Sequence, residues 1–259
     1  MQTFLLTTLA IFISTISFGQ KAEELNKRSK DFLKISDFKS AIPLIKEAAD
    51  AGNAEAQYNY GISFQQGIEV RQNDSLANDW FLKSAKQGWK DAQYKVAFSY
   101  ATGRGWTKNE KQAFYWSLKC AEQEDPECMF NIVNCYLSGF GTQKNVDSML
   151  VWATHLALLH NPNDLGLSGR ITSARANLAS IYSEGQYIPK NLEKSYMWFL
   201  IYNENKNDFS VLIQQQNIDK IEELEKQLTV ADKTKARNEA EKLLNHKLAN
   251  INNLYKQDL

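Results

Sequence analysis

Residues 54–89 read AEAQYNYGISFQQGIEVRQNDSLANDWFLKSAKQGW. Small and aromatic residues come first, then a Gly-bounded loop, then a Trp-bearing segment. The order then returns. Ala56 is followed 36 residues later by Ala92, and 36 after that by Cys128. Trp80, Trp116 and Trp152 keep this step, as do Gly67, Gly103 and Gly139. A further copy, offset by 46, carries Ala174, Gly185 and Trp198. Self-similarity at a fixed period of this size marks stacked supersecondary units that bury a continuous core only together.

The spacing within one copy predicts two helices. Ala56, Tyr60, Gly61 and Phe64, and in the next copy Ala92, Val96, Ala97 and Tyr100, fall on one face of a 3.6-residue helix. Gly61 and Ala97 are small enough for a second helix to approach closely. Gly67, Gly103, Gly139 and Gly185 suit the left-handed residue that closes a helix. Asn73, Asn109, Asn145 and Asn191 each follow that Gly by six residues, where an Asn side chain forms a turn or an N-cap. The Gly-rich loop matches neither the phosphate loop nor the dinucleotide fingerprint, and no strand precedes it. The second helix carries Trp80, Trp116, Trp152 or Trp198, each expected to wedge between its own first helix and the next repeat.

Of 259 residues, 43% are hydrophobic and 12% aromatic, a composition that excludes a disordered chain. Thirty basic and thirty acidic side chains balance, so no global field favours nucleic acid or an anionic membrane. Phe4 to Phe18 is apolar apart from Thr and Ser, and Ser17 and Gly19 are small residues before a cut after Gly19. Residues 1–19 are therefore expected to be a signal peptide, the apolar run being short for a spanning helix, with an uncleaved anchor as the alternative, and the mature chain is expected to be periplasmic or secreted, in a bacterium. Cys120, Cys128 and Cys135 leave at least one thiol unpaired within the chain. Cys128 and Cys135 lie about 10 Å apart by helical rise. Cys120 could reach Cys128, or Cys128 could simply fill an Ala-sized core position.

The ends and one insertion depart from the period. Residues 20–53 give a degenerate helix pair broken near Ser36 and Asp37, as expected of a capping unit. Repeats follow at 54–89, 90–125, 126–171 and 172–205. His160 to Gly169 is an added segment that composition marks as a loop, an insertion or a binding loop. Residues 206–259 are expected to form closing helices over Ile218–Leu228 and from Thr229 to about Leu254. Thr229 with Asp232 resembles a capping box, with Asp in place of Glu, and these helices should cover the fourth repeat.

Ala-Gln-Tyr-Asn-Tyr-Gly at 56–61 and Trp80-Phe81-Leu82-Lys83-Ser84-Ala85 with Gly88 resemble the Sel1-like repeat, a relative of the tetratricopeptide repeat. Ala92-Gln93-Tyr94, Gly103-Arg104-Gly105 and Lys111 to Trp116 resemble it more closely. The third copy departs, with Cys128 for Ala and Val133 for the paired Gly, and the fourth has Ala179 for Gly. The resemblance spans residues 38 to about 245. It implies an all-α solenoid of stacked antiparallel helix pairs, wound as a right-handed superhelix and used for protein–protein contact. One branch of the family carries two cysteines per repeat and has been linked to β-lactamase activity; this chain lacks those pairs.

No chemistry assembles by spacing. His155 and His160 share no helix face, His246 stands alone, and zinc needs three or four converging ligands. The expectation is a non-catalytic, cofactor-free and metal-free scaffold for a protein or peptide partner. It would have no nucleic-acid partner and no membrane span after signal cleavage. The alternatives are an exported binder of cell-wall polymer or another non-protein ligand and, more remotely, a hydrolase such as a β-lactamase-like member of the family. The buried stripe leaves the residues two, six and nine positions after the leading small residue on the opposite face, which the family fold makes concave. Tyr58, Ile62 and Gln65, then Tyr94, Phe98 and Ala101, then Phe130, Asn134 and Leu137 occupy it, followed by the smaller Ala176, Ser180 and Ser183. Tyr58, Tyr94, Phe98 and Phe130 are the expected aromatic contacts, unless neighbouring first helices use them for packing.

Overall fold

The computed structural model describes residues 19–204 and 211–251; the expected signal peptide up to residue 18, and residues 205–210 and 252–259, lie outside them. Twelve helices and no strand occur among the described residues. α1 covers residues 19–34 as far as described. α2 (Phe38–Asp50), α3 (Ala54–Gln66), α4 (Asp74–Lys86), α5 (Lys90–Thr102) and α6 (Glu110–Ala121) follow. α7 (Pro126–Ser138), α8 (Val146–Leu158), α9 (Leu165–Glu184), α10 (Leu192–Glu204), α11 (Val211–Gln227) and α12 (Val230–Leu244) complete the chain. The architecture is all-α, in stacked helix pairs of the solenoid class. The helices form two compact units, one ending at Gln123 and one beginning at Glu124.

Each loop is closed in the same way. Gly67, Gly103, Gly139 and Gly185 end α3, α5, α7 and α9 with left-handed φ of 73°, 79°, 82° and 70°. The loop Asn then does two jobs. Its side chain accepts from the third backbone N–H of the next helix, as Asn109 does from Gln112 at 3.1 Å. Its own N–H returns to the carbonyl of the aromatic residue in the first helix: Asn73 to Phe64, Asn109 to Tyr100, Asn145 to Tyr136 and Asn191 to Tyr182, at 2.8–3.0 Å. The recurring Asn fixes both ends of the loop.

In the first unit a glutamine ladder ties successive pairs. The buried Gln57 donates to the Ala49 carbonyl at 3.1 Å, and Gln93 repeats this to Ala85 at 3.3 Å. Their side-chain oxygens accept from Gln87 and Gln123, each at 2.8 Å, and those two also donate to the Gly52 and Gly88 carbonyls. In the second unit the same position is Met129 in the third copy and Arg175 in the fourth. Arg175 is buried and donates to the Ala157 and Leu159 carbonyls at 2.7 and 2.9 Å. A fixed cation there serves the orphan carbonyls at the end of α8. Burial still lowers its pKa to about 10.

The tryptophans correct one expectation. Trp80 packs on a core made of Ala41, Ile45, Ala48, Ala56 and Tyr60, and Trp116 on one made of Ala77, Phe81, Ala85, Ala92 and Val96. Trp80 and Trp116 therefore wedge between their own first helix and the preceding repeat. Phe81, fully buried, faces forward instead. Gly61 is small because of it: a Cβ there would lie 2.5 Å from the Phe81 ring.

Other departures concern lengths. The added segment from His160 to Gly169 is not wholly a loop. Asp164 caps α9 through the Leu167 N–H at 2.8 Å, so Leu165 to Gly169 form the first turns of a 20-residue helix. α12 ends at Leu244 rather than near Leu254, because Asn245 turns left-handed at φ 57°. The Thr229–Asp232 capping box is present. α11 and α12 pack on α10, whose residues from Ser195 to Glu204 are buried all round. Cys128 fills the Ala position of α7, fully buried; Cys120 and Cys128 are disulfide-bonded, and the buried Cys135 is free.

Candidate partner-binding groove

The face opposite the buried stripe behaves differently in the two units. In the first, Tyr58 packs against Phe81 and Trp89, with ring centroids 5.7 and 6.5 Å apart, and Ile62 packs on the same cluster. Burial, and then the nearby Asp91 charge, raise the Tyr58 pKa above its usual 10.0. Tyr58 and Ile62 are thus partly used in packing, the alternative the sequence left open for this face, and both keep partial exposure. Tyr94 is half-buried, and Phe98 remains 43% exposed. Gln65 accepts from Lys95 at 3.0 Å across the α3–α5 seam; burial, and then Arg104, lower the Lys95 pKa.

In the second unit the same face is open. Two adjoining cavities of about 700 and 440 Å³ share Phe130, Asn177, Ser180 and Lys220 in their walls. The larger runs between α7, α9 and α11, bounded by Glu127, Asp164, Gly166, Arg170, Ser173, Ala176, Ile213 and Asn217. The smaller opens between α7, α8 and α9, among Val133, Asn134, Leu137, Met149, Ala153, Leu156, Leu178 and Ile181. Phe130, Asn134, Leu137, Ala176 and Ser180, separated along the chain, share these walls. Ser183 does not line them.

The opening has a cause in sequence. Position 153 is 72 residues after Phe81, two repeat steps, and holds Ala. Phe130 stands where Tyr58 stands in the first repeat. The aromatic pair that Tyr58 and Phe81 form in the first repeat has one ring fewer here, as it already has at Ser117 in the second repeat. Val133, in place of Gly61, occupies only part of the space.

The charges of the walls are largely met. Arg170 pairs with Glu127 and lies over the Phe130 ring, 4.9 Å from its centroid. Lys220 donates to Ser180 at 3.0 Å. Asp164 is engaged as the α9 cap. Asn217 differs: it is 6% exposed, and its amide nitrogen has no hydrogen-bond partner. The sequence alone missed α11 as a wall, since residues before Ile218 carry no clear helical stripe. It also missed Arg170 and Asp164, which the extended α9 brings to the groove.

Three stretches of the chain, 54–89, 90–125 and 172–201, match the Sel1 repeat family. A Sel1 repeat protein from Oxalobacter formigenes, of known crystal structure, is similar over 84% of this chain and 84% of its own, at 22% identity and a TM-score of 0.63. That likeness is one of fold. A protective antigen present in uropathogenic Escherichia coli strains and displaying an SLR fold is 23% identical over 85% of this chain and 52% of its own length, with a TM-score of 0.40. No curated protein matches the chain. The class is that of helical-repeat proteins, and the recognisable repeats are of the Sel1 type.

Proposed function

We propose that this chain is an exported, non-catalytic scaffold that binds a protein or peptide partner through the groove between α7, α9 and α11. Sel1 repeat proteins generally mediate protein–protein interaction, and the chain carries such repeats. The observation that carries the reading is the groove itself, preformed and apolar along one wall, with a few polar groups converging on it. The apolar stretch before Gln20 supports export, and so do disulfide-bonded cysteines, which persist in oxidising compartments. The free thiol is a poor nucleophile: burial raises the Cys135 pKa to about 11, so little thiolate exists at neutral pH.

The test compares quantitative crosslinking pull-downs from cell-envelope extract using the wild-type chain and Phe130→Ala. Loss of one defined protein partner, with the thermal melt nearly kept, is expected. A Tyr94→Ala, Phe98→Ala double variant reports on the first-unit face. Equal recovery from wild type and a folded Phe130→Ala rejects the groove as the binding site. Sedimentation with peptidoglycan in place of a protein partner would favour the polymer-binding alternative.

A further inference from the structure

We propose that the groove takes an extended peptide at one large apolar residue, whose side chain enters the cavity beside Phe130 and whose neighbouring backbone carbonyl accepts from the Asn217 amide. The inference rests on the partner-binding reading and specifies its chemistry. Three observations carry it. One wall of the smaller cavity is apolar, from Val133, Leu137, Met149, Leu156 and Leu178, and Ala153 stands there where Phe81 fills the first repeat; a partner's Phe or Leu side chain packs in that space against Phe130. The unmet polar group at the adjoining wall is a neutral donor, Asn217 Nδ2, nine-tenths buried. A buried donor left unpaired is unfavourable, and an acceptor from a ligand removes that penalty. The wall of the larger cavity carries two carboxylates, Glu127 and Asp164, and two cations, Arg170 and Lys220, a balance that favours a peptide carbonyl over a phosphoryl group or a polyanion.

The length is consistent with a peptide. The α7 wall runs from Glu127 to Leu137, about 15 Å at 1.5 Å per residue. At about 3.3 Å per extended residue that accommodates four to five residues.

The probe is a set of end-blocked heptapeptide pools, randomised except for Phe, Leu, Ala or Asp fixed at the centre, passed over the immobilised full chain. Retention of the Phe and Leu pools should exceed that of the Ala and Asp pools by about tenfold, the discrimination expected when several methylenes fill an apolar slot. Ala153→Leu should abolish the preference, and Asn217→Leu should lower the retention of all four pools alike, in each case with the melt kept; either alone suffices if the other fails to fold. Equal retention of all four pools by the wild-type chain overturns the proposal, as does a preference untouched by Ala153→Leu together with retention untouched by Asn217→Leu. Retention of peptidoglycan fragments instead, lost in Asn217→Leu, also overturns it. A partner still captured in the Phe130-dependent pull-down while the pools fail to discriminate would leave the scaffold reading standing and reject only this chemistry.

Discussion

Single residues explain the repeat signature. Gly105 has φ of +75°, and a Cβ there would lie 2.6 Å from the Asp74 backbone at the start of α4. Gly103, at φ +79°, has nothing nearer than 3.6 Å. Both Ala variants carry left-handed strain of about 1–3 kcal/mol. Gly105→Ala adds a backbone clash, so its denaturant midpoint should fall clearly further than that of Gly103→Ala; equal losses would contradict the contact. The ladder glutamines are a second case. Gln93→Leu removes a buried donor from the Ala85 carbonyl and an acceptor from Gln123, and should lose about 1–3 kcal/mol. A double-mutant cycle between Gln93 and Gln123 should give a coupling of at least about 0.5 kcal/mol, whereas additive losses would mean the two do not interact.

At the scale of helices, the sequence was most legible where spacing and chemistry coincide. The loop Gly and Asn, the small residue under Phe81 and the Thr229–Asp232 box could be read because each depends on local backbone geometry. The direction in which Trp116 packs could not, since a helical stripe does not say which neighbour it meets. The length of α9 was also hidden. Pro162 and two glycines mark a loop, yet the Asp164 cap starts the helix inside that segment. The site was half legible: helical phase put Phe130, Asn134, Ala176 and Ser180 on one face, but not Asn217, which arrives from a helix distant in sequence. Trp116, 8% exposed, should lose about 3–5 kcal/mol on substitution by Ala, read from denaturant melts. A loss under about 1 kcal/mol would mean it is not core.

α12 offers a test by pH. The Lys247 ammonium first, then Arg237 and the Leu248 N–H, hold the Glu241 carboxyl at about 2, against the opposing effect of burial. A carboxyl depressed in the folded state contributes its support fully above the ordinary value of 4.5, and that support is lost as pH falls towards about 2. Hydrogen-exchange protection of α12 should fall through that window, and Glu241→Gln should flatten the dependence. An unchanged pH profile in the variant would show that other carboxylates govern it.

At the scale of the molecule, the two units put one repeat to different uses. The first keeps the regular ladder and packs Tyr58 and Ile62 of its aromatic face, while Phe98 stays exposed. The second replaces the ladder with Met129 and Arg175, lengthens α9, removes the Phe81 ring and leaves a cavity. Function is expected where regularity fails. The most direct measurement is photo-crosslinking in the cell envelope from a benzophenone amino acid at Asn134, an exposed groove residue, with Lys144 as an exposed control away from the groove walls. One discrete adduct containing a second polypeptide from position 134, and none from 144, is the predicted result. No adduct from either position, or the same adduct from both, would contradict a partner seated in the groove.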